Sequence, residues 1–211
     1  MRSPPLHVAL ALVGPADEPG PTAHRLLRLL LATLTGLPPD AHVLERRCAR
    51  CGGPHGKPVL VGSAWHPSLS YSSRAVAVAV TLAGPVGVDV EDVARVGAGL
   101  DGVALAPGER AVGDVERART WTRKEALLKA TGTGLDVDPR DVVVSAPGAP
   151  ARLLAWAAAP GPLALYDVPA PAGHACSVAV LGVASAQVRV SDGTALLAAG
   201  GEAARAPRAR S

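Results

Sequence analysis

Residues 75–93 read AVAVAVTLAGPVGVDVEDV, and the two halves of this stretch obey different patterns. Residues 75–82 are an unbroken apolar run bounded by Ser72-Ser73 and Gly84-Pro85, which predicts a strand buried on both faces. Residues 86–93 alternate instead. Val86, Val88 and Val90 fall on one face of the pleat, and Gly87, Asp89 and Glu91 on the other. Toward the N-terminus, residues 6–13 (LHVALALV) stop at Gly14-Pro15 and read as a strand entering a turn, followed by a Pro- and acid-rich loop over 15–21. A helix is expected from His24 to Leu34, with Thr22 as N-cap and Gly36 and Pro38 ending it. Toward the C-terminus, a second helix covers about 114–131 and is closed by Gly132 and Gly134. Strand-like runs follow at 142–145, 153–157, 163–168 and 176–183. The run AVAVAV after SYSSR and the run CSVAVLGV after PAGHA hold matching places, a sign of internal duplication. Beyond Gln187 the periodicity fades, and 191–211 reads as a disordered tail.

A chain of 211 residues is long enough for one domain or two small ones folded together. With 48% hydrophobic and 18% charged residues and a mean hydropathy of +0.24, wholesale disorder is excluded. Aromatics make up 2% and Phe is absent, so the core has to be built from Val, Leu and Ala. The net charge of +3 owes +2 to Glu202, Arg205, Arg208 and Arg210, leaving no clustered basic face for nucleic acid. The apolar run 8–13 is far shorter than the ~20 residues of a membrane helix, and it lacks the charged flank of a signal peptide. Three cysteines form no secretory framework, so a reducing, cytoplasmic setting is the simplest.

The chemistry-bearing residues sit in two clusters. Asp89 and Glu91, one residue apart on a strand face, repel unless a positive charge stands between them, and a hard divalent cation such as Mg2+ meets that need. Taken alone, two acids on a strand also fit an ordinary solvated face. In WTRKEALLK, residues Trp121, Glu125 and Lys129 are spaced i, i+4, i+8 and line one helical stripe, which puts Glu125 beside Lys129. Alone, that is an ordinary amphipathic helix.

Together and in this order, GVDVE and WTRKEALLKATGTGL resemble the 4'-phosphopantetheinyl transferases of the surfactin-synthetase-activating type. Gly87, Asp89, Glu91, Trp121, Lys124, Glu125, Lys129, Gly132, Gly134 and Leu135 occupy every key position of the two motifs. Further similarities lie at Ala23-His24-Arg25, Gly56-Lys57-Pro58, Ser68-Leu-Ser70 and Leu105-x-Pro-x-Glu-Arg110, so the likeness spans about residues 22–183.

The resemblance implies an α+β fold of two pseudo-twofold-related lobes, each a helix on a small, mainly antiparallel sheet. The N-terminal lobe would cover residues 1–85 and the C-terminal lobe 86–190. It implies a monomer that moves the phosphopantetheine arm of coenzyme A to a serine of an apo acyl, peptidyl or aryl carrier protein. The metal ligands would be Asp89, Glu91 and Glu125 around Mg2+. Glu125 would also be the general base, with Lys129 and Lys124 on the diphosphate. Arg25, Lys57, Ser70 and Tyr71 would bind the 3'-phosphate end. Two departures stand out: Tyr71 replaces the family's usual His, and the loop before the first helix is short and acidic. A coenzyme A binder without turnover and a different Mg2+-dependent phosphoryl hydrolase are the rival readings.

Cys48-x-x-Cys51-Gly-Gly-x-His55 holds half of a zinc pattern, with His66 or His42 available as a fourth ligand. A turn with two reduced thiols is the simpler reading. Cys176 lies inside a strand run and reads as core.

Overall fold

The computed structural model describes residues 3–14, 17–46, 52–53 and 56–205. The first half runs β1 (Pro5–Leu12), α1 (Pro19–Thr35), β2 (Leu44–Arg46), β3 (Pro58–Leu60), β4 (His66–Ser72) and β5 (Ala75–Thr81). The second repeats that order. It comprises β6 (Val86–Asp92), a short α2 (Asp101–Ala104), α3 (Gly113–Thr131), β7 (Val143–Val144), β8 (Leu153–Ala155), β9 (Leu163–Asp167) and β10 (His174–Leu181). Then come β11 (Gln187–Asp192) and α4 (Gly193–Arg205). Pairing repeats as well. β1-β5-β4 and β6-β10-β9 are antiparallel in the same spatial order, and β2-β3 and β7-β8 are small antiparallel hairpins. The fold is thus mixed α+β, and β5 and β10 are indeed equivalent strands.

The sequence pattern explains the layers. Along β5, Val76, Val78 and Val80 pack toward α1 with Leu26, Leu27, Leu30 and Leu31. Ala75, Ala77 and Ala79 point the other way, onto Val86, Val88, Val90, Val178 and Val180 of the second sheet. Both faces of β5 are covered, as an unbroken apolar run requires. On the far side, α3 packs Ala126, Leu127, Leu128 and Ala130 with Leu165, Ala179 and Trp156.

Between the halves, β4 and β6 lie side by side, and serine side chains take the place of a ladder. Val88 N donates to Ser68 Oγ at 3.0 Å, Ser70 Oγ to Asp89 Oδ1 at 2.8 Å, Ser72 Oγ to Glu91 Oε2 at 2.7 Å and Ser73 Oγ to Asp92 Oδ2 at 2.7 Å.

Two expectations change. α1 begins at Pro19, earlier than His24, because prolines are tolerated in a first turn whose amide groups have no partner anyway. Thr22 is therefore inside the helix, its hydroxyl donating back to the Glu18 carbonyl at 2.7 Å. The end matches, with Gly36 in the left-handed conformation at φ 73°. The second change concerns the expected disordered tail. β11 pairs parallel with β1, Pro5 opposite Gln187 through Leu10 opposite Asp192, so the chain returns to the first sheet. Asp192 Oδ1 then caps α4 by accepting from Thr194 N and Ala195 N, and α4 packs on α1 and β1. Residues 206–211 lie outside the described residues. Among the described residues, no helix is long and apolar enough to cross a membrane.

Candidate active site

A glycine decides how near α3 comes to β6. A Cβ on Gly87 would stand 2.1 Å from the Ala126 carbonyl oxygen and 2.4 Å from the Ala130 amide nitrogen, a space no side chain can share. The next residue on the same face, Asp89, is consequently driven under the helix and is 2% exposed. Gly132, at φ 77°, ends α3 one turn beyond Lys129.

The stripe on α3 meets the acids of β6. Lys129 Nζ donates to Asp89 Oδ1 at 2.5 Å and to Ser70 Oγ at 3.0 Å. The expected Glu125–Lys129 pair gives way to this bond, since a lysine at the helix edge can reach the deeper carboxylate. Glu91 Oε2 accepts from Ser72 Oγ at 2.7 Å, and Glu91 and Trp121 border the same surface pocket. Asp89 Oδ2 and Glu125 Oε1 are buried with no hydrogen-bond partner.

The charges shape one another. Burial first, then the Asp89 charge, push the Glu125 carboxyl up to about 7 against the pull of Lys129, with Glu91 adding to the push. Burial also raises Glu91, against the bond from Ser72. Lys129 loses some basicity to burial, but Asp89 more than restores it and holds the ammonium above its ordinary range.

The expected trio around a metal is only partly formed. Among the described residues no three His, Cys, Asp or Glu side chains stand as a ready-made metal site. Lys129 and Ser70 occupy one oxygen of Asp89, and Ser72 holds one oxygen of Glu91. The donor chemistry nevertheless fits a cation. Two buried carboxylate oxygens without any donor, from Asp89 and Glu125, leave an uncompensated negative site that a hard divalent ion would satisfy.

A cavity of about 940 Å3 opens between α1 and the end of β4, with His24, Arg25, Arg28, Arg46 and Tyr71 on its walls. Arg25 and Tyr71 were expected near the ligand, and they line it together. Arg28 and Arg46 were not singled out by the sequence reading. Arg28 lies one helical turn after Arg25, and its buried Nε has no hydrogen-bond partner. Arg46 also borders a 200 Å3 cleft walled by Lys57, Ser68 and Lys129. Ser70 faces away from the cavity and onto Asp89 and Lys129.

Two expected ligand lysines are placed otherwise. Lys57 Nζ donates to the carbonyls of Val86 (2.6 Å), Lys129 (2.6 Å) and Ala130 (3.0 Å), which uses all three of its protons to tie the end of α3 to β6. Burial lowers its pKa to about 8. Lys124 is fully buried and donates to Glu109 Oε2, Ala104 O and Pro139 O. It is an internal tie, because it sits on the face of α3 turned from Asp89. Glu109 in turn accepts from Ala106 N and Val144 N. Next to Lys124, Arg123 is also fully buried, bidentate on Asp167 and donating to the Ser145, Ala146 and Ala149 carbonyls.

Of the possible zinc ligands, Cys48, Cys51 and His55 lie outside the described residues. His42 is buried and bonded to Thr35 Oγ1 at 3.2 Å. Cys176 is a free thiol within the core, as its strand position implied.

No curated protein matches the chain. Residues 85–179, from the start of β6 into β10, match the family model of the 4'-phosphopantetheinyl transferase superfamily. The matched segment holds Gly87, Asp89, Glu91, Trp121, Glu125 and Lys129, so the part of the chain in which acids and lysine converge is the part similar to that superfamily.

Proposed function

We propose that the protein transfers the 4'-phosphopantetheine arm of coenzyme A to the serine of an apo carrier protein in a Mg2+-dependent reaction, releasing adenosine 3',5'-bisphosphate. One observation carries this reading: the unpartnered oxygens of Asp89 and Glu125 lie beside the Lys129 ammonium, which also lines a cleft bordered by Arg46.

The site's parts fit the steps of such a transfer. Arg25, Arg28 and Arg46 would grip the 3'-phosphate, since guanidinium forks pair well with phosphate oxygens. Tyr71, in place of a histidine, contributes a hydroxyl donor without charge. Lys129 would lie along the diphosphate and stabilise charge as the bond to the nucleotide phosphate breaks. A divalent cation held by Asp89 and Glu125, with Glu91 adjacent, would supply neutralisation of the phosphoryl oxygens. Glu125, through Oε2, the carboxylate oxygen not assigned to the cation, would accept the proton of the carrier serine hydroxyl as the serine oxygen bonds to the pantetheine-side phosphorus and the bond to the nucleotide phosphate breaks. A carboxyl held near neutrality is matched to that proton transfer at cellular pH. Ser70, bonded to both Asp89 and Lys129, would keep the two aligned.

The test is incubation of the purified protein with apo carrier protein, coenzyme A and Mg2+, read by mass spectrometry of the carrier. A gain of one phosphopantetheine, lost on chelation, is the expected result. Coenzyme A bound with no gain identifies a binder, and diphosphate cleavage without a carrier identifies a hydrolase.

A further inference from the structure

We infer that α4 is a positioning element of the arginine-lined cavity, holding Arg25 in place for an anionic ligand. This rests on the proposed reading of that cavity as the seat of the coenzyme A 3'-phosphate. The residues involved come from opposite ends of the chain. Arg25 Nη2 donates to the Leu197 carbonyl of α4 at 2.9 Å, a bond spanning 172 residues. Arg25 is otherwise exposed, and an exposed arginine loses much rotamer freedom when it is fixed on a ligand. The carbonyl of α4 fixes one arm of the fork beforehand and leaves Nε and Nη1 for an anion.

The approach of α4 is set by its glycines. Gly200 forms part of the cavity wall. A Cβ there would come within 2.5 Å of Leu29 Cδ2, and a Cβ on Gly201 within 3.2 Å of Arg25 Nη2. At the other end of the helix, a Cβ on Gly193 would come within 2.6 Å of the Leu10 carbonyl oxygen. Leu196 and Leu197 pack on the core beneath α1. α4 is therefore held close from Gly193 to Gly201, and its stretch from Leu197 to Gly201 reaches the guanidinium.

Gly201→Ala in the full-length protein separates positioning from support. Alanine favours a helix, so a purely structural role for α4 predicts unchanged or higher thermal stability and unchanged ligand affinity. Positioning predicts that the added methyl displaces Arg25. The KM for coenzyme A and the calorimetric Kd for adenosine 3',5'-bisphosphate then rise about three- to tenfold, with kcat unchanged. The effect disappears with 3'-dephospho-coenzyme A and in an Arg25→Gln background, because the arginine carries it. Gly200→Ala, which pushes on Leu29 at the same wall, is expected to behave alike. Unchanged KM and Kd, or an equal rise with the dephospho substrate, would overturn the inference while leaving the transferase reading intact. Failure of the unaltered protein to bind coenzyme A would overturn both.

Discussion

The two halves share one plan, strand, helix, hairpin, strand, strand, yet they place their charges in opposite ways. α1 buries an apolar stripe of Ala23, Leu26, Leu27, Leu30 and Leu31 and turns Arg25 and Arg28 to a cavity. α3 buries Arg123 and Lys124 completely and turns Glu125 and Lys129 onto a strand that itself carries acids. β1, the counterpart of β6, has no acid at all. One helix is thus held chiefly by a hydrophobic face, whereas the other adds to its apolar contacts the buried Lys124–Glu109 pair and the inward Arg123, which hold its charges at a fixed position. On the proposed function, one copy of the repeated scaffold would grip the ligand and the other would carry the chemistry.

The sharpest test of that division is Glu125→Gln. It keeps the shape and removes the proton acceptor, so transfer to the carrier should fall ~10²–10⁴-fold while coenzyme A binding by the α1 side persists. Calorimetry with coenzyme A beside the mass assay reads both. If binding is lost together with transfer, the labour is not divided between the lobes as argued.

The buried charges of α3 give the next effect. Arg123→Ala would leave the Ser145 and Ala149 carbonyls without this donor in the interior, while Asp167, with 34% of its side chain exposed, keeps Ser177 and water, and each unsatisfied buried acceptor typically costs about 1–3 kcal/mol. A urea unfolding curve should show that loss. Arg28→Ala on α1 should leave the same curve nearly unmoved and instead raise the KM for coenzyme A about 10–100-fold, the loss expected for a charge-assisted bond to phosphate. Equal stability losses in the two variants would erase the contrast.

Legibility in the sequence follows the same divide. β5 and β6 could be read because apolar content and alternation are local properties, and α3 because Gly132 punctuates it. The convergence of Asp89 with Lys129 was within reach of motif spacing. The partners of lysines were not, since a lysine looks alike in sequence whether its protons go to a phosphate or to three carbonyls, as those of Lys57 do. Arg123 sits off the Trp121–Glu125–Lys129 stripe, and nothing local marks it as buried. β4 alternates too weakly among its serines to announce a strand. β11 carries alternation at Val188 and Val190, and Asp192-Gly193-Thr194 is a plausible cap, but an edge strand with mostly exposed side chains gives a faint pattern. Its order comes from pairing with β1, a contact across the whole chain.

The smallest effect concerns the pH dependence of stability in the presence of a chelator. Glu125 has a folded-state pKa of about 7, well above that of an unfolded glutamate, so between about pH 4.5 and 7 the folded protein binds more protons than the unfolded one. Stability from this group is in place at low pH and is lost as pH rises through 7, and Glu91, also raised by burial, acts in the same direction. His7, His24 and His66, each lowered mainly by burial, act oppositely: unfolding binds protons there, so their contribution rises with pH toward 6.5. Asp138, held at about 2 by its bonds to Arg140, is fully ionised throughout this window and adds no slope. The informative quantity is therefore the difference between two proteins. From pH 5 to pH 8 the Tm of the unaltered chain should fall by a few degrees relative to that of Glu125→Gln, which cannot titrate there. Mg2+ should recover that gap at pH 8 and do little at pH 5, since a cation competes with the protons for the same oxygens. Parallel Tm profiles for the two proteins would mean that the Glu125 carboxyl is solvated, and the chemistry assigned to the second lobe would lose its base.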